Sequence, residues 1–287
     1  ALDLTRGRIL TVAGSTLRVH DQEGSVLTSL DLPGRAGAIA LDGADGAAYL
    51  ALPQAGAVAR YDGTTLTTIA EGLGRPLGLA ASPGHLFVGD ADGKRLVMLD
   101  RRGHGIMRVA DLEAAPGGLV YDPLMHRVYV TQLGPGTLLA LDADTLEPLG
   151  QVALGGLGLP RALALDAEAH RLYVAHDLSP KYGAVSAVDT EAWRVVAERT
   201  GTWAQPLTGC DAVAVDPARG RLVVGYSGGI ASLDPEMLEI LEAAPRPAGA
   251  SARGLAVDPA TGWAYLGGEG DGLWRAGPEL HIMQALP

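Results

Sequence analysis

Residues 162–176 read ALALDAEAHRLYVAH: an apolar run, an Asp, a short turn, then a second apolar run containing Tyr-Val. The same pattern recurs along the chain. It reads AIALDGADGAAYLAL from Ala38, GLVYDPLMHRVYVTQ from Gly118, AVAVDPARGRLVVGY from Ala212 and GLAVDPATGWAYLGG from Gly254. A weaker copy, GLAASPGHLFVGD from Gly78, puts Ser82 in the Asp position, and residues 3–8 (DLTRGR) match residues 216–221 (DPARGR) without a gap. The anchors Asp3, Asp42, Ser82, Asp122, Asp166, Asp216 and Asp258 are therefore 39, 40, 40, 44, 50 and 42 residues apart. A near-constant period of this length marks a repeat architecture.

Each unit carries a second turn signal, at Asp21, Asp62, Asp100, Asp142, Asp189 and Asp234, after apolar stretches such as TLLALD and AVSAVD. A unit thus reads strand, Asp-led turn, strand, loop, strand, Asp-led turn, strand. Asp at the head of a turn can accept backbone amides two residues on, and a following Pro pre-sets φ, so these carboxylates are expected to be structural. No unit shows the 3.6-residue period of a helical repeat. Four strands per unit, seven times, predict an all-β chain: a seven-bladed β-propeller of four-stranded antiparallel blades. The expected blades cover approximately residues 1–33, 34–74, 75–114, 115–155, 156–204, 205–247 and 248–287 of one domain. Small apolar first strands suit the crowded position nearest the axis.

Composition agrees and excludes some functions. Forty Gly and eighteen Pro in 287 residues suit many short strands. No run of eighteen apolar residues exists, so no transmembrane segment is expected. A net charge of −11, with two Lys and twenty scattered Arg, argues against nucleic acid as a partner, because phosphate binding needs clustered cations. One cysteine, Cys210, excludes an intrachain disulfide and a Cys-based metal site; a small buried hydrophobe is the expected role.

The stretches 171–176 (RLYVAH), 184–190 (AVSAVDT), 193–197 (WRVVA) and 127–132 (RVYVTQ) resemble the YVTN-type β-propeller repeat. The resemblance covers essentially the whole chain and is closest in blades four and five. Where that family usually has Asn after Tyr-Val-x, this chain has Gln132 or His176. The family hosts many functions on one fold, so the resemblance implies a propeller and little about chemistry. The first blade has only Ala1 and Leu2 before its anchor, where other blades have about five residues. On that ground the chain is expected to be a domain of a larger protein or a processed, secreted, periplasmic or cell-surface one, and a monomer.

Insertions in repeat proteins collect on the binding face. The two largest departures from period, residues 176–183 (HDLSPKYG) and 201–209 (GTWAQPLTG), flank the junction of blades five and six. They read as channel-mouth loops presenting His176, Asp177, Tyr182 and Trp203. Five residues before their anchors stand Arg161, Asp211 and Arg253, which strand register would gather at the channel entrance. Two guanidiniums beside one carboxylate could hold an anionic ligand; a structural ion-pair ring is the competing reading. A further ring, closing the second strands, comprises Leu52, Asp90, Gln132, His176, Tyr226 and Gly268, with Glu269 and Asp271 nearby. It is too mixed for a metal site and reads as solvated loop residues. Trp193, Trp263 and Trp274 are expected between blades.

No nucleophile-elbow, phosphate-loop, zincin or dinucleotide fingerprint is present. The favoured function is therefore a binding or scaffold module with an unidentified protein or small-molecule ligand, no cofactor and no metal. The alternative is a lactonase-like hydrolase or lyase acting in the central channel, possibly with a divalent ion, using Asp90, His176, Asp211 or Glu269. Docking against a redox partner is a weaker third reading, without a haem-attachment motif to support it.

Overall fold

A computed structural model describes residues 1–43, 45–101, 105–179, 182–201, 207–245, 254–267, 272–280 and 283–286. It contains seven four-stranded sheets, each built from consecutive strands in sequence order with antiparallel neighbours. Their strands lie within residues 2–31, 38–70, 76–111, 116–153, 159–201, 210–245 and 254–286. The one helical element among the described residues is a 3-10 turn, Pro217–Arg219. The sheets are the blades of a seven-bladed β-propeller. Among the described residues no blade takes a strand from the other end of the chain.

The core explains the ring. Side chains alternate across a strand, and in the second strands both faces are apolar because each face meets a different neighbour. Leu10, Tyr49, Phe87, Tyr129, Tyr173, Val223 and Tyr265 point toward the following blade. Seven buried clusters result, one per junction. Tyr129, Leu138 and Ala140 of blade four meet Leu172, Val174 and Val188 of blade five. Tyr173, Ala175 and Val185 of blade five meet Leu222, Val224 and Leu233 of blade six. The seventh closes the circle, joining Ile9 of blade one to Tyr265, Leu273 and Leu286 of blade seven.

Inner strands approach closely enough to need glycine. A Cβ on Gly117 would lie 2.6 Å from the Pro160 carbonyl oxygen of the next blade, and one on Gly118 would lie 2.8 Å from that of Arg161. Trp193 packs across a junction, edge-on to Tyr129 at 6.0 Å and over Gly150, as expected of it. Trp263 is covered by the Arg275 guanidinium at 4.7 Å.

The Asp-led turns are structural in detail. Asp122 Oδ1 accepts the amides of Leu124 and Met125 at 2.9 and 3.0 Å, and its Oδ2 accepts the Tyr129 hydroxyl at 3.1 Å. Ser82 takes over the role where Asp is missing: its Oγ accepts the His85 amide at 3.0 Å. Four residues after the anchor the chain turns left-handed at Gly7, Gly46, Gly220 and Gly262, and also at His126 and His170. Arginines on this turn face stitch blades together. Arg101 pairs with Asp42 of the preceding blade. Arg219 donates to the Thr261 carbonyl at 3.0 Å and Arg221 to that of Gly262 at 3.2 Å.

Candidate functional site

At the opposite face, the two insertions beside blades five and six lean on each other. The first is not the loop that residues 176–183 suggest. The second strand of blade five, Arg171–Ser179, runs nine residues, and Tyr182–Asp189 returns antiparallel with Ser179 opposite Tyr182. The hairpin thus carries strand pairing out past the mouth. Polar and turn-forming residues there imply a loop when read singly; cross-strand pairing and contact with the neighbouring insertion override that. Gly209 N–H donates to the Tyr182 carbonyl at 3.2 Å. At Gly183 the chains meet so closely that a Cβ would lie 2.4 Å from the Leu207 carbonyl oxygen.

This hairpin places several of the predicted residues. Arg161 Nε donates to Asp177 Oδ2 at 2.9 Å, with both side chains partly open to solvent. Tyr182 is exposed. Asp211 lines the central cavity beside Ala212 and Val213. The register argument put Arg161 with Asp211; in the structure its carboxylate partner is Asp177. Trp203, Arg253, Gly268, Glu269 and Asp271 lie outside the described residues.

His176 does not belong to the open mouth. It is wholly buried, with Nε2 2.8 Å from Ser186 Oγ. Burial pushes its imidazole down to about 4, opposed by the Gly158 carbonyl. Neutral at physiological pH and sealed, it is unavailable to a ligand entering the channel. Cys210 is likewise buried; its thiol donates to the Leu207 carbonyl at 3.3 Å. Burial, then Asp211 and Asp177, raise it to about 12. A thiol so raised is a poor nucleophile.

The ring closing the second strands therefore requires correction: Asp90, Gln132 and His176 are buried, not solvated. Asp90 and Gln132 reach back to the loop leading into their own blade. Asp90 accepts the amides of Gly74 and Arg75 at 3.0 and 2.8 Å and the Arg95 guanidinium at 2.9 Å. Burial alone would raise this carboxyl, but the Arg75 and Gly74 amides, with Arg95, hold it below the usual range. Gln132 Oε1 accepts the Ala114 amide at 3.2 Å, and its Nε2 donates to Thr137 at 3.1 Å. These side chains are spent on fixing the lead-in loops. Among the described residues no group of three His, Cys, Asp or Glu is placed to hold a metal ion.

The channel itself opens into a cavity of about 850 Å3. Its walls are mainly the first residues of inner strands, such as Gly37, Ala38, Ala162 and Gly254, plus the second strand of blade one. Among the described residues the charged side chains that line it are Arg18 and Arg35, on the side of blades one and two, and Asp211 from blade six. The sequence reading missed both arginines. Arg35 stands seven residues before the anchor Asp42, so extending the anchor alignment two residues upstream finds it. Nearby, Thr11 Oγ1 lies 2.9 Å from Nε2 of buried His20, whose Nδ1 lies 3.0 Å from the Gly24 carbonyl. Because a carbonyl oxygen only accepts, Nδ1 carries a proton and donates to Gly24.

No helix among the described residues is long and apolar enough to cross a membrane. No family model matches the chain, and no curated protein matches it. Solved structures do. The chain is similar to one from Kuenenia stuttgartiensis hydrazine synthase, with 16% identity and a TM-score of 0.73, covering 84% of this chain and 76% of that one. It is also similar to a chain of a nidogen/laminin complex, with 19% identity and a TM-score of 0.64, covering 83% and 93%. In all, 1617 solved chains match, and at such low identity the likeness shows the propeller fold and not its chemistry.

Proposed function

We propose that this propeller is a binding or scaffold module that recognises a ligand at the channel mouth beside blades five and six. One observation carries the reading: the two insertions meet where the Gly209 amide donates to the Tyr182 carbonyl, and the hairpin presents Tyr182 and the Arg161–Asp177 pair, while His176 and Cys210 are buried. An exposed aromatic on the same hairpin as an ion-paired carboxylate suits recognition; His176 and Cys210, two groups that could do chemistry, are buried and neutral. We assign the repeat to the YVTN type on its Tyr-Val strands and second Asp turns. An extracytoplasmic location belongs to the same reading, and a thiol sealed from oxidants is compatible with it. Of the two similar proteins, one comes from a protein–protein complex and the other from an enzyme, so neither decides the matter.

The test is a thermal-shift screen of short peptides, sugars, nucleotides and carboxylic acids against the wild-type chain and an Arg161→Ala/Tyr182→Ala variant. Ligands whose stabilisation disappears in the variant support the mouth as the site. Ligands that stabilise both equally contradict it. Turnover of γ-lactones or p-nitrophenyl esters that is lost in Asp211→Asn would instead establish the hydrolase.

A further inference from the structure

On the turn face, opposite the mouth, blade four departs from the repeat in its chemistry. Tyr121 immediately precedes the anchor Asp122, where the other six units carry Leu, Ala or Val. Four residues after that anchor stands His126, in the left-handed conformation (φ 54°) that blades one, two, six and seven give to glycine. That conformation is strained for a residue with a Cβ. The His126 ring joins two other groups. Its Nδ1 lies 2.9 Å from the hydroxyl of Tyr121, on the inner strand Pro116–Asp122. Its Nε2 lies 3.0 Å from Oδ2 of Asp144, in the turn after the third strand Thr137–Asp142. An ionised carboxylate only accepts, so Nε2 carries a proton; in the neutral ring Nδ1 then accepts the Tyr121 O–H. Carboxylate, imidazole and hydroxyl thus stand in the relation of orienter, base and nucleophile. Blade three braces the group. Phe87 stacks on Tyr121 with ring centroids 6.2 Å apart, and His85 Nδ1 is 3.9 Å from the other oxygen of Asp144. Blade five supplies the contrast: His170 takes the same left-handed place and stands 3.9 Å from Glu191. Leu165 precedes its anchor, however, and the buried Nδ1 of His170 has no hydrogen-bond partner.

We propose that Tyr121 is the nucleophile of an acyl-transfer site on the turn face, with His126 as its general base and Asp144 as the positioning residue. The substrates are small acyl donors with good leaving groups, such as aryl esters. Tyr121 Oη attacks the acyl carbon and its proton passes to His126 Nδ1, while the bond from that carbon to the aryl oxygen breaks. The proton goes on to the departing oxygen or to solvent. Water, giving a proton to the same Nδ1, then cleaves the tyrosyl ester to a carboxylic acid and the free phenol. Burial, then Asp144 and Asp122, raise the Tyr121 hydroxyl above its ordinary value. The phenol is therefore not ionised in advance; the base removes its proton during attack, as it does for a serine nucleophile. The hydrogen bond between Tyr121 and His126 is exposed, so a small donor reaches it from solvent. Water at an open site weakens electrostatic help to the transition state, which is why the leaving group must be a good one.

Stopped-flow mixing with p-nitrophenyl acetate, followed by peptide mass mapping, tests this. Acetyl should appear on Tyr121 faster than on the more exposed Tyr182, which serves as an internal reference. Tyr121→Phe keeps the ring on Phe87 and should lose the fast phase. His126→Gly installs the residue that four sibling blades use there, so it should fold, as circular dichroism checks. It should slow acetylation of Tyr121 by roughly a hundredfold, the lower end of what a positioned base supplies, and leave that of Tyr182 unchanged. Asp144→Asn adds a readout that a merely structural role would not move. Neutral His126 is the active form, and the groups around it are Tyr121, Asp144, Asp142, Asp122 and His85. Removing the nearest negative charge favours the neutral ring, so the rise of rate with pH should move to lower pH. Labelling of Tyr121 no faster than Tyr182, or equally fast in His126→Gly, overturns the site. A pH profile unmoved in Asp144→Asn overturns the part given to Asp144. Ester turnover that is lost in Asp211→Asn, with no acetyl on Tyr121, also overturns the turn-face site and points to the channel. Recognition at the mouth stands or falls separately.

Discussion

Acidification should weaken this protein through His176, by an amount that can be worked out. Its imidazole sits at about 4 in the fold, against an ordinary 6.5. The folded value is depressed, so the fold favours the neutral ring. Stability from this group is fully present above pH 6.5 and drains away as the pH falls toward 4, where the unfolded chain holds a proton that the folded chain does not. At pH 5 the linkage relation gives a loss of about 2 kcal/mol, rising to about 3 kcal/mol below pH 4. Urea unfolding at pH 7, 6 and 5, followed by circular dichroism, measures this in the wild type and in His176→Asn. The variant lacks the titration, so its own fixed penalty does not matter; only the slope is read. Wild type should lose about 2 kcal/mol more than His176→Asn between pH 7 and 5. Parallel slopes would refute the reasoning. If the variant fails to fold, the imidazole carbon shifts of native wild type give the same answer, since titration near 6.5 rather than 4 contradicts burial as the cause.

Other outcomes follow from the same coordinates. Gly117→Ala drives a methyl to 2.6 Å from the Pro160 carbonyl and should cost about 1–3 kcal/mol by overpacking, read as a lower urea midpoint. Asp122→Ala strands the Leu124 and Met125 amides and the Tyr129 hydroxyl. The expected cost is about 1–3 kcal/mol, again by urea, whereas Asp144→Ala on the exposed surface should be near neutral. Cys210 should resist a thiol-specific reagent such as dithionitrobenzoate at pH 8 until denaturant is added, because burial raises its thiol to about 12. Fast labelling of the native protein would contradict the packing described.

The propeller was readable because one physical requirement repeats. Each blade needs a tight turn after its inner strand and an apolar second strand packed on both sides, and an anchor Asp, or Ser82 in blade three, followed by a short turn and an apolar run meets both needs in all seven units. Ser82 was legible as a substitute for the same reason. The mouth was readable only in outline. Residues 176–183 look like a loop because His, Asp, Ser, Pro and Lys are poor strand formers, and nothing local reveals the neighbouring insertion that they lean on. Asp90 and Gln132 look like solvated rim residues because their partners are backbone amides of Gly74, Arg75 and Ala114. An amide leaves no mark in a sequence, so a polar side chain that folds inward to meet one cannot be told from one that faces water. Arg18 and Arg35 escaped because the channel wall gathers residues from distant blades.

The small cluster joining Ile9 to Leu286 has a kinetic consequence. Six junctions bring together neighbours in the chain, but this clasp links its two extremities, and fastening a loop of that length costs about 5 kcal/mol of chain entropy. Among the described residues Ile9, Tyr265, Leu273 and Leu286, backed by part-buried Leu2 and Trp263, must repay that debt, with Gly24 pressed against Leu286 as the latch. The hoop should therefore fasten last and spring open first, so amide exchange in blades one and seven should outrun that in blade four.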